Sequence, residues 1–349
     1  MNISVDLDAS YFQGVLSVER TREGLVPWRL PHTRRHWFLS PDDGLMTKAG
    51  CTSGVRLRFE TDATTVTLRF RPLAVPGPAI PDGHCFDAVI DDRIVQVIHC
   101  RGGEEKVVFD AIGNGLRTIE LWLPLDCPVT LVELLLSGAS VGHPVPDRRP
   151  LWVTWGSSIT HCVRAGSSAR TWPAIVARRH GLNLINLGFG GQCYLDPAVA
   201  MVIRDLSAQY ISLKLGINAA LSASVNDRTY MAMVAAAVAI IRENHRKTPL
   251  ALVSPIGFPP METTPNAAGY NITGMRRDMS IIHLRCVEAG DANLPYVDGL
   301  KIFSLDDIAR YTTDQCHPNS EGIALMADRF SELVMQPLMR ISSKGEILQ

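Results

Sequence analysis

Between Val55 and Phe70 the chain alternates. In VRLRFE, Val55, Leu57 and Phe59 fall on one side and Arg56, Arg58 and Glu60 on the other; VTLRFR repeats the pattern with Val66, Leu68 and Phe70. A period of two marks a half-buried strand, so both stretches are predicted strands, and the five residues between them, TDATT, suit a hairpin connection. FDAVIDDRIVQVI reads as two strands around Asp91-Asp92, and TIELWL and VTLVELLL as two more. PLAVPGPAIPDG, Pro72 to Gly83, is too rich in Pro and Gly for regular structure and is predicted to be a loop. Convincing helices are missing up to about residue 140. Many short strands with turn signals predict an antiparallel β-sandwich over residues 1–145.

GASVGHPVPDRRP, Gly138 to Pro150, reads as a linker. Beyond it, over 146–349, strands and helices alternate. LWVTW, LNLINLGF, YISLKLG and PLALVSPI are continuous apolar strands, and TWPAIVARRHG reads as a helix ending at Gly181. Tyr230, Met233, Val234, Ala237, Val238 and Ile241 recur at helical spacing, as do Ile323, Met326, Phe330, Leu333 and Val334. Buried strands without alternation, separated by helices, predict a parallel sheet covered on both faces. No internal repeat is present.

Composition narrows the function. At 349 residues the chain exceeds the size at which single cores stop growing, which agrees with two domains. Hydrophobic residues make up 46% and charged residues 20%, and the net charge is −1. No Lys/Arg cluster could track a phosphate backbone. Arg34-Arg35 and Arg148-Arg149 read as solvated charge, so nucleic acid and anionic membrane are poor partners. The start, MNISVDLDASYFQG, lacks the features of a signal peptide, and no apolar run reaches the ~20 residues of a bilayer span. The eight cysteines are scattered, without CxxC pairs or zinc-site histidines, which fits reduced thiols in a cytoplasm.

In open α/β sheets ligands bind beyond the carboxyl ends of the strands. GSSITH follows LWVTW, LGFGGQ follows LNLIN, GINA follows YISLKL, and TTDQCHPN precedes the last helix. The residue types suit acyl transfer. A serine hydroxyl is a weak nucleophile until a base takes its proton, and histidine is the usual base. A carboxylate on the other ring nitrogen fixes the tautomer. N–H donors must meet the developing oxyanion, and glycine lets backbone approach a substrate closely.

With these four segments in order, residues 150–338 resemble the SGNH (GDSL-type) esterases and acyltransferases. The family's Gly-Asp-Ser block matches Gly156-Ser157-Ser158, its glycine block Asn186, Gly188 and Gly191, its Gly-x-Asn block Gly216-Ile217-Asn218, and its Asp-x-x-His block Asp314 to His317, followed by Pro318 and Asn319. The resemblance implies a flavodoxin-like three-layer α/β/α domain. It implies Ser158 as nucleophile, His317 as base, Asp314 as its partner, and an oxyanion hole of the Ser158 and Gly191 amides and the Asn218 side chain. The sandwich ahead of it is similar to a subgroup with jelly-roll N-terminal domains, which includes carbohydrate esterases and acyltransferases that decorate natural products. Two positions depart from the family: Ser157 stands where relatives carry Asp, and Ala219 where an Asp often follows the block-three Asn.

Plainer roles stand beside these. Ser157 reads as a structural turn residue and Thr160 as a capping residue. His161 either lines the pocket mouth or is exposed. Asp314 could cap a turn only, and Asn218 could be a strand-end turn residue. Gly188 and Gly190 read as turn glycines. Cys162, Cys193 and Cys316 read as small hydrophobes. An Asp-x-x-His pair can ligate a metal, but no third ligand is evident. Ser254 to Asn266 and Arg276 border the pocket or form a surface loop. The leading expectation is a serine esterase working through an acyl-enzyme on a small-molecule ester or acyl donor, without metal or organic cofactor. The alternative is an acyltransferase passing the acyl group to an alcohol of a natural product or sugar. A non-catalytic ligand-binding protein is the third reading. Nothing in the pattern specifies an oligomeric state.

Overall fold

The computed structural model describes residues 2–74 and 84–347. Two compact units emerge: Met1–Arg149 with Val163–Asn186, and Pro150–Cys162 with Leu187–Gln349. Of the proline-rich loop, Pro72 to Ala74 are irregular, and 75–83 lie outside the described residues.

The first unit contains a sandwich of two antiparallel sheets. One runs Ser17–Arg20, Leu25–Trp28, Leu131–Ser137, Thr65–Phe70, Lys106–Asp110, with Asn2–Val5 also on Leu131–Ser137. The other runs Gly142–Pro144, Arg56–Thr61, Arg117–Trp122, His84–Ile90, Arg93–Cys100. Alternation chose the core correctly: Val55, Leu57, Phe59, Val66 and Leu68 are all fully buried. Phe70 and Phe86, from opposite sheets, stack at 4.7 Å between ring centroids. Asp91 and Asp92 turn with φ of 50° and 60°, the geometry of a tight two-residue hairpin.

Three expectations for this half need correction. TDATT is no hairpin, because Arg56–Thr61 and Thr65–Phe70 belong to different sheets and the segment crosses between them. A helix, Gly44–Gly50, sits where none was expected. The linker is structured: Gly142–Pro144 pairs with Arg56–Thr61, and Arg149 is bonded, not solvated. Arg56, placed by alternation on the polar face, is 1% exposed. It pairs with Asp147 at 2.9 Å, donates to Asn183 Oδ1 at 2.8 Å and lies 5.0 Å from the Trp122 ring centroid. Arg149 also binds Asp147 and Glu120. Such a cluster is tolerated inside because every charge has a partner.

The second unit holds the parallel sheet. Its strands are β1 (Leu151–Gly156), the last two residues of β2 (Asn183–Gly188), β3 (Tyr210–Lys214), β4 (Leu250–Val253) and β5 (Tyr296–Val297), in the order β2-β1-β3-β4-β5. The chain enters this unit at Leu187, near the end of β2, where the Phe189 amide donates to the Gly156 carbonyl at 2.8 Å. β1, β3, β4 and β5 pair in parallel. This is the flavodoxin-like order, and its switch point, where ligands bind, lies between β1 and β3. Helices Pro197–Asp205, Asp227–Arg242 and Ile272–Glu288 pack on one another. Phe330, on another helix, meets Trp152 of β1 at 5.7 Å. A buried polar chain ties β1 to β3: Trp152 Nε1 donates to Ser212 Oγ at 3.1 Å, and Ser212 Oγ to Thr154 Oγ1 at 3.0 Å. The helix Ile272–Glu288 escapes the periodicity because Arg276 and Asp278 sit among its buried residues. Among the described residues no helix is long and apolar enough to cross a membrane.

In the first unit, burial pushes the Asp87 carboxyl up to about 6, against the Ala169 amide that donates to it at 2.8 Å. Folding therefore favours the protonated form. Its contribution is full below the unfolded value near 4 and is lost as pH rises through about 6. Asp87→Asn is expected to flatten this dependence, closing a loss of about 2–3 kcal/mol between pH 4 and 7. Denaturation midpoints of both proteins across that range check it; parallel curves would refute the assignment.

Candidate functional site

The site forms where β1, β2 and β3 end. Helix α1 (Ser158–His161) starts directly after β1. Ser157 caps it: its Oγ accepts from the Ile159 amide at 3.4 Å, and its carbonyl from the amides of Thr160 and His161. Ser157 is thus the structural residue expected, whereas Thr160, expected as a cap, lies inside the helix. Ser158 takes the first helical position, where a backbone N–H has no intrahelical partner. Its amide makes no hydrogen bond among the described residues.

Gly188 makes this placement possible. A β-carbon there would lie 2.1 Å from the His161 amide nitrogen and 2.5 Å from the Thr160 carbonyl carbon. The end of β2 and helix α1 meet backbone to backbone, so Gly188 is a contact glycine, not simply a turn residue. His161 is fully buried, neither exposed nor at a pocket mouth.

Ser158 Oγ lies 2.9 Å from His317 Nε2, and His317 Nδ1 lies 2.8 Å from Asp314 Oδ2. Asp314 does more than face the ring. Its Oδ1 accepts from the His317 amide at 2.8 Å and the Cys316 amide at 3.1 Å. Gln315 takes a left-handed φ of 57°, and a bridge between Thr312 and Pro318 closes the turn. One carboxylate therefore folds the segment and aims the imidazole. Burial works against ionisation of Asp314, but the His317 amide and ring and the Cys316 amide outweigh it and hold the carboxyl down at about 2. An ionised Asp314 fixes the proton on Nδ1 and leaves Nε2 as an acceptor, a tautomer inferred from this network.

The other predicted residues gather nearby. A β-carbon on Gly190 would lie 3.5 Å from Ser158 Cβ, so the glycine loop runs past the serine. Gly191 has a φ of +70°, with nothing within 4 Å of where a β-carbon would stand. Its amide makes no hydrogen bond among the described residues. Asn218, in helix α2 (Ile217–Leu221), is buried, and its Oδ1 accepts from the Cys193 amide at 3.1 Å. That bond fixes the side-chain amide and leaves Nδ2 without a partner among the described residues. The N–H donors of Ser158, Gly191 and Asn218 are therefore all unengaged among the described residues. Asn186 stands apart from them: in the first unit it donates to Ser53 Oγ at 3.0 Å.

A narrow recess opens beside these residues, lined by Ile159, Ile217, Cys316 and Lys214 and by Pro255 to Phe258. The segment after β4 thus borders a pocket. Arg276 holds it by donating to the carbonyls of Pro255 at 3.1 Å and Ile256 at 3.3 Å, and it pairs with Glu262. Lys214 is the lining residue the sequence reading missed. A lone polar residue ending an apolar strand was the available signal.

Fold and site define an esterase or acyltransferase of the SGNH type carrying an N-terminal β-sandwich. Residues 149–335, more than half of the chain, match the model of the GDSL-like Lipase/Acylhydrolase family, and the chain belongs to this family. Residues 10–129 match the model of the SsfX3 N-terminal domain. The structure is similar to the salicylyl-acyltransferase SsfX3 from a tetracycline biosynthetic pathway, with TM-score 0.85 and 28% identity over 94% of this chain and 95% of that one. It shares its fold with a protein from Bacteroides ovatus described as a GDSL-like lipase (TM-score 0.75, 18% identity, 97% and 98% covered). It also shares it with a family two carbohydrate esterase from Clostridium thermocellum (0.62, 15%, 82% and 94%). No curated protein matches the sequence significantly.

Gly188→Ala is expected to force β2 and α1 apart. Overpacking of this kind costs about 1–3 kcal/mol. Because α1 carries Ser158, the lower melting temperature should come with a lower kcat toward an aryl ester. A variant with unchanged Tm and kcat would show that the contact is not needed.

Proposed function

We propose that the protein cleaves acyl esters through a covalent acyl-serine on Ser158. The observation that carries this reading is the continuous chain Ser158 Oγ, His317 Nε2, His317 Nδ1, Asp314 Oδ2, with links of 2.9 Å and 2.8 Å. His317 Nε2 takes the hydroxyl proton as Ser158 Oγ attacks the carbonyl carbon. The amides of Ser158 and Gly191 and Nδ2 of Asn218 receive the oxyanion. Collapse breaks the bond to the leaving oxygen, which takes the proton from His317. Water then loses a proton to Nε2 and attacks the acyl carbonyl; collapse breaks the bond to Ser158 Oγ, which takes that proton back from Nε2, and releases the acid. Asp314 keeps the ring oriented and stabilises the imidazolium.

A second reading, transfer of the acyl group to an alcohol, follows the same steps with an alcohol in place of water. It is supported by the likeness to a salicylyl-acyltransferase along 94% of this chain and by the match to that protein's N-terminal domain.

Turnover of 4-nitrophenyl acetate tests the serine. Ser158→Ala is expected to lower kcat/KM about 10⁴-fold or more. Ser157→Ala should retain most activity while losing about 1 kcal/mol of stability with the cap. Asn218→Ala should cost roughly 10²–10³ in kcat. A serine-reactive phosphonate should mark the peptide containing Ser158; turnover that survives Ser158→Ala would overturn the reading. Adding alcohols and partitioning the products separates the two outcomes. Ester formed beyond the alcohol's mole fraction marks a transferase; acid alone marks a hydrolase.

A further inference from the structure

Lys214 ends β3 at the recess, with its backbone registered between Gly156 of β1 and Val253 of β4. It is 3% exposed. Its ammonium makes no hydrogen bond or ion pair among the described residues; the ionisable groups that act on it are the thiols of Cys193 and Cys316. Burial pushes the Cys193 thiol well up, so that neighbour supplies no counter-charge at neutral pH. An ammonium buried without a partner costs several kcal/mol, and a methionine or leucine would fill a strand end without that cost. Burial brings the Lys214 ammonium down to about 8, so most of it remains charged at neutral pH.

The surroundings say what such a charge could meet. Three of the recess walls are immediate chain neighbours of proposed catalytic residues: Ile159 follows Ser158, Ile217 precedes Asn218 and Cys316 precedes His317. The rest of the lining is apolar apart from the lysine. The cavity volume is about 10 Å³, the room taken by a single oxygen or methyl group. A guest there would be small and would sit among residues that adjoin Ser158, Asn218 and His317, with Lys214 as the one charged wall.

We propose that Lys214 recognises an oxygen acceptor on the acyl group, so that the enzyme selects short acyl chains bearing a hydroxyl, ether or carboxylate oxygen near the carbonyl over plain hydrocarbon chains. This rests on the acyl-serine reading, since it places the acyl group beside Ser158. A carboxylate gains most, because one of its oxygens entering the recess neutralises the buried charge as well as accepting its hydrogen bonds.

Matched 4-nitrophenyl esters test it. The pairs are hydroxyacetyl with propionyl, methoxyacetyl with butyryl, and hemimalonyl with butyryl, each kcat/KM divided by the ester's own hydroxide rate. The wild-type protein is expected to favour the oxygenated member of each pair roughly 10-fold or more, the hemimalonyl ester most. Lys214→Met, close in size and uncharged, is expected to bring each ratio to within about threefold of one. Wild-type ratios near one overturn the proposal without any variant, so it stays testable if Lys214→Met fails to fold. Equal ratios in wild type and a folded variant overturn it as well. A preference for hydroxyacetyl and methoxyacetyl but not hemimalonyl keeps the site and overturns the ranking. Failure of the serine reading looks different: Ser158→Ala would still turn over the esters, whatever the ratios.

Discussion

At Gly188 the backbone of β2 touches the backbone of α1, and the position of Ser158 depends on that contact. No side chain fits between the two, since a β-carbon would overlap the His161 amide. The contact sets how α1 leaves β1. It puts the serine at the first helical position, with its own amide turned out of the helix ladder. The sheet order then supplies the surroundings. β1 and β3 are neighbours although β2 lies between them in sequence, so the loops after them part at the switch point and leave room for a ligand.

The second constraint is the carboxylate of Asp314. It accepts two amides through one oxygen and the imidazole through the other. The two readings of this residue, turn cap and histidine partner, are therefore one arrangement. The same economy appears at Asn218, whose carbonyl oxygen is held by the Cys193 amide while its nitrogen is left for another acceptor. In the proposed mechanism such bonding keeps donors aimed before a substrate arrives, as electrostatic stabilisation of a transition state requires.

Several features were hidden from the sequence for a shared reason. Arg56 and Arg149 were read from polarity, which normally means exposure, Arg276 was left between pocket border and surface loop, and Lys214 was passed over inside an apolar strand. All four lie in buried or partly buried places. Arg56 and Arg149 are matched by Asp147 and Glu120, residues 29 or more positions away for every pair except Arg149 with Asp147. Arg276 is met by carbonyls from the segment after β4, which also hid the helix that carries it. Partners so distant leave no periodic trace. TDATT failed differently: a five-residue segment can join two strands of one sheet or cross between two sheets, and only the packing of Phe70 on Phe86 and their neighbours decides.

What the sequence determined by itself was periodicity and chemistry. Alternation of period two named the sandwich strands and their buried faces, apolar runs named the parallel strands, and the residue types after those runs, read with the family resemblance, put forward Ser158, Gly191, Asn218, Asp314 and His317 as candidates. Those signals are local, and each is carried by residues within a few positions of one another. Tertiary structure decided which strands are neighbours, that Gly188 is a contact, that His161 is buried, and that Lys214 faces a recess without a partner. These depend on distances between segments far apart in the chain, and no local pattern encodes them.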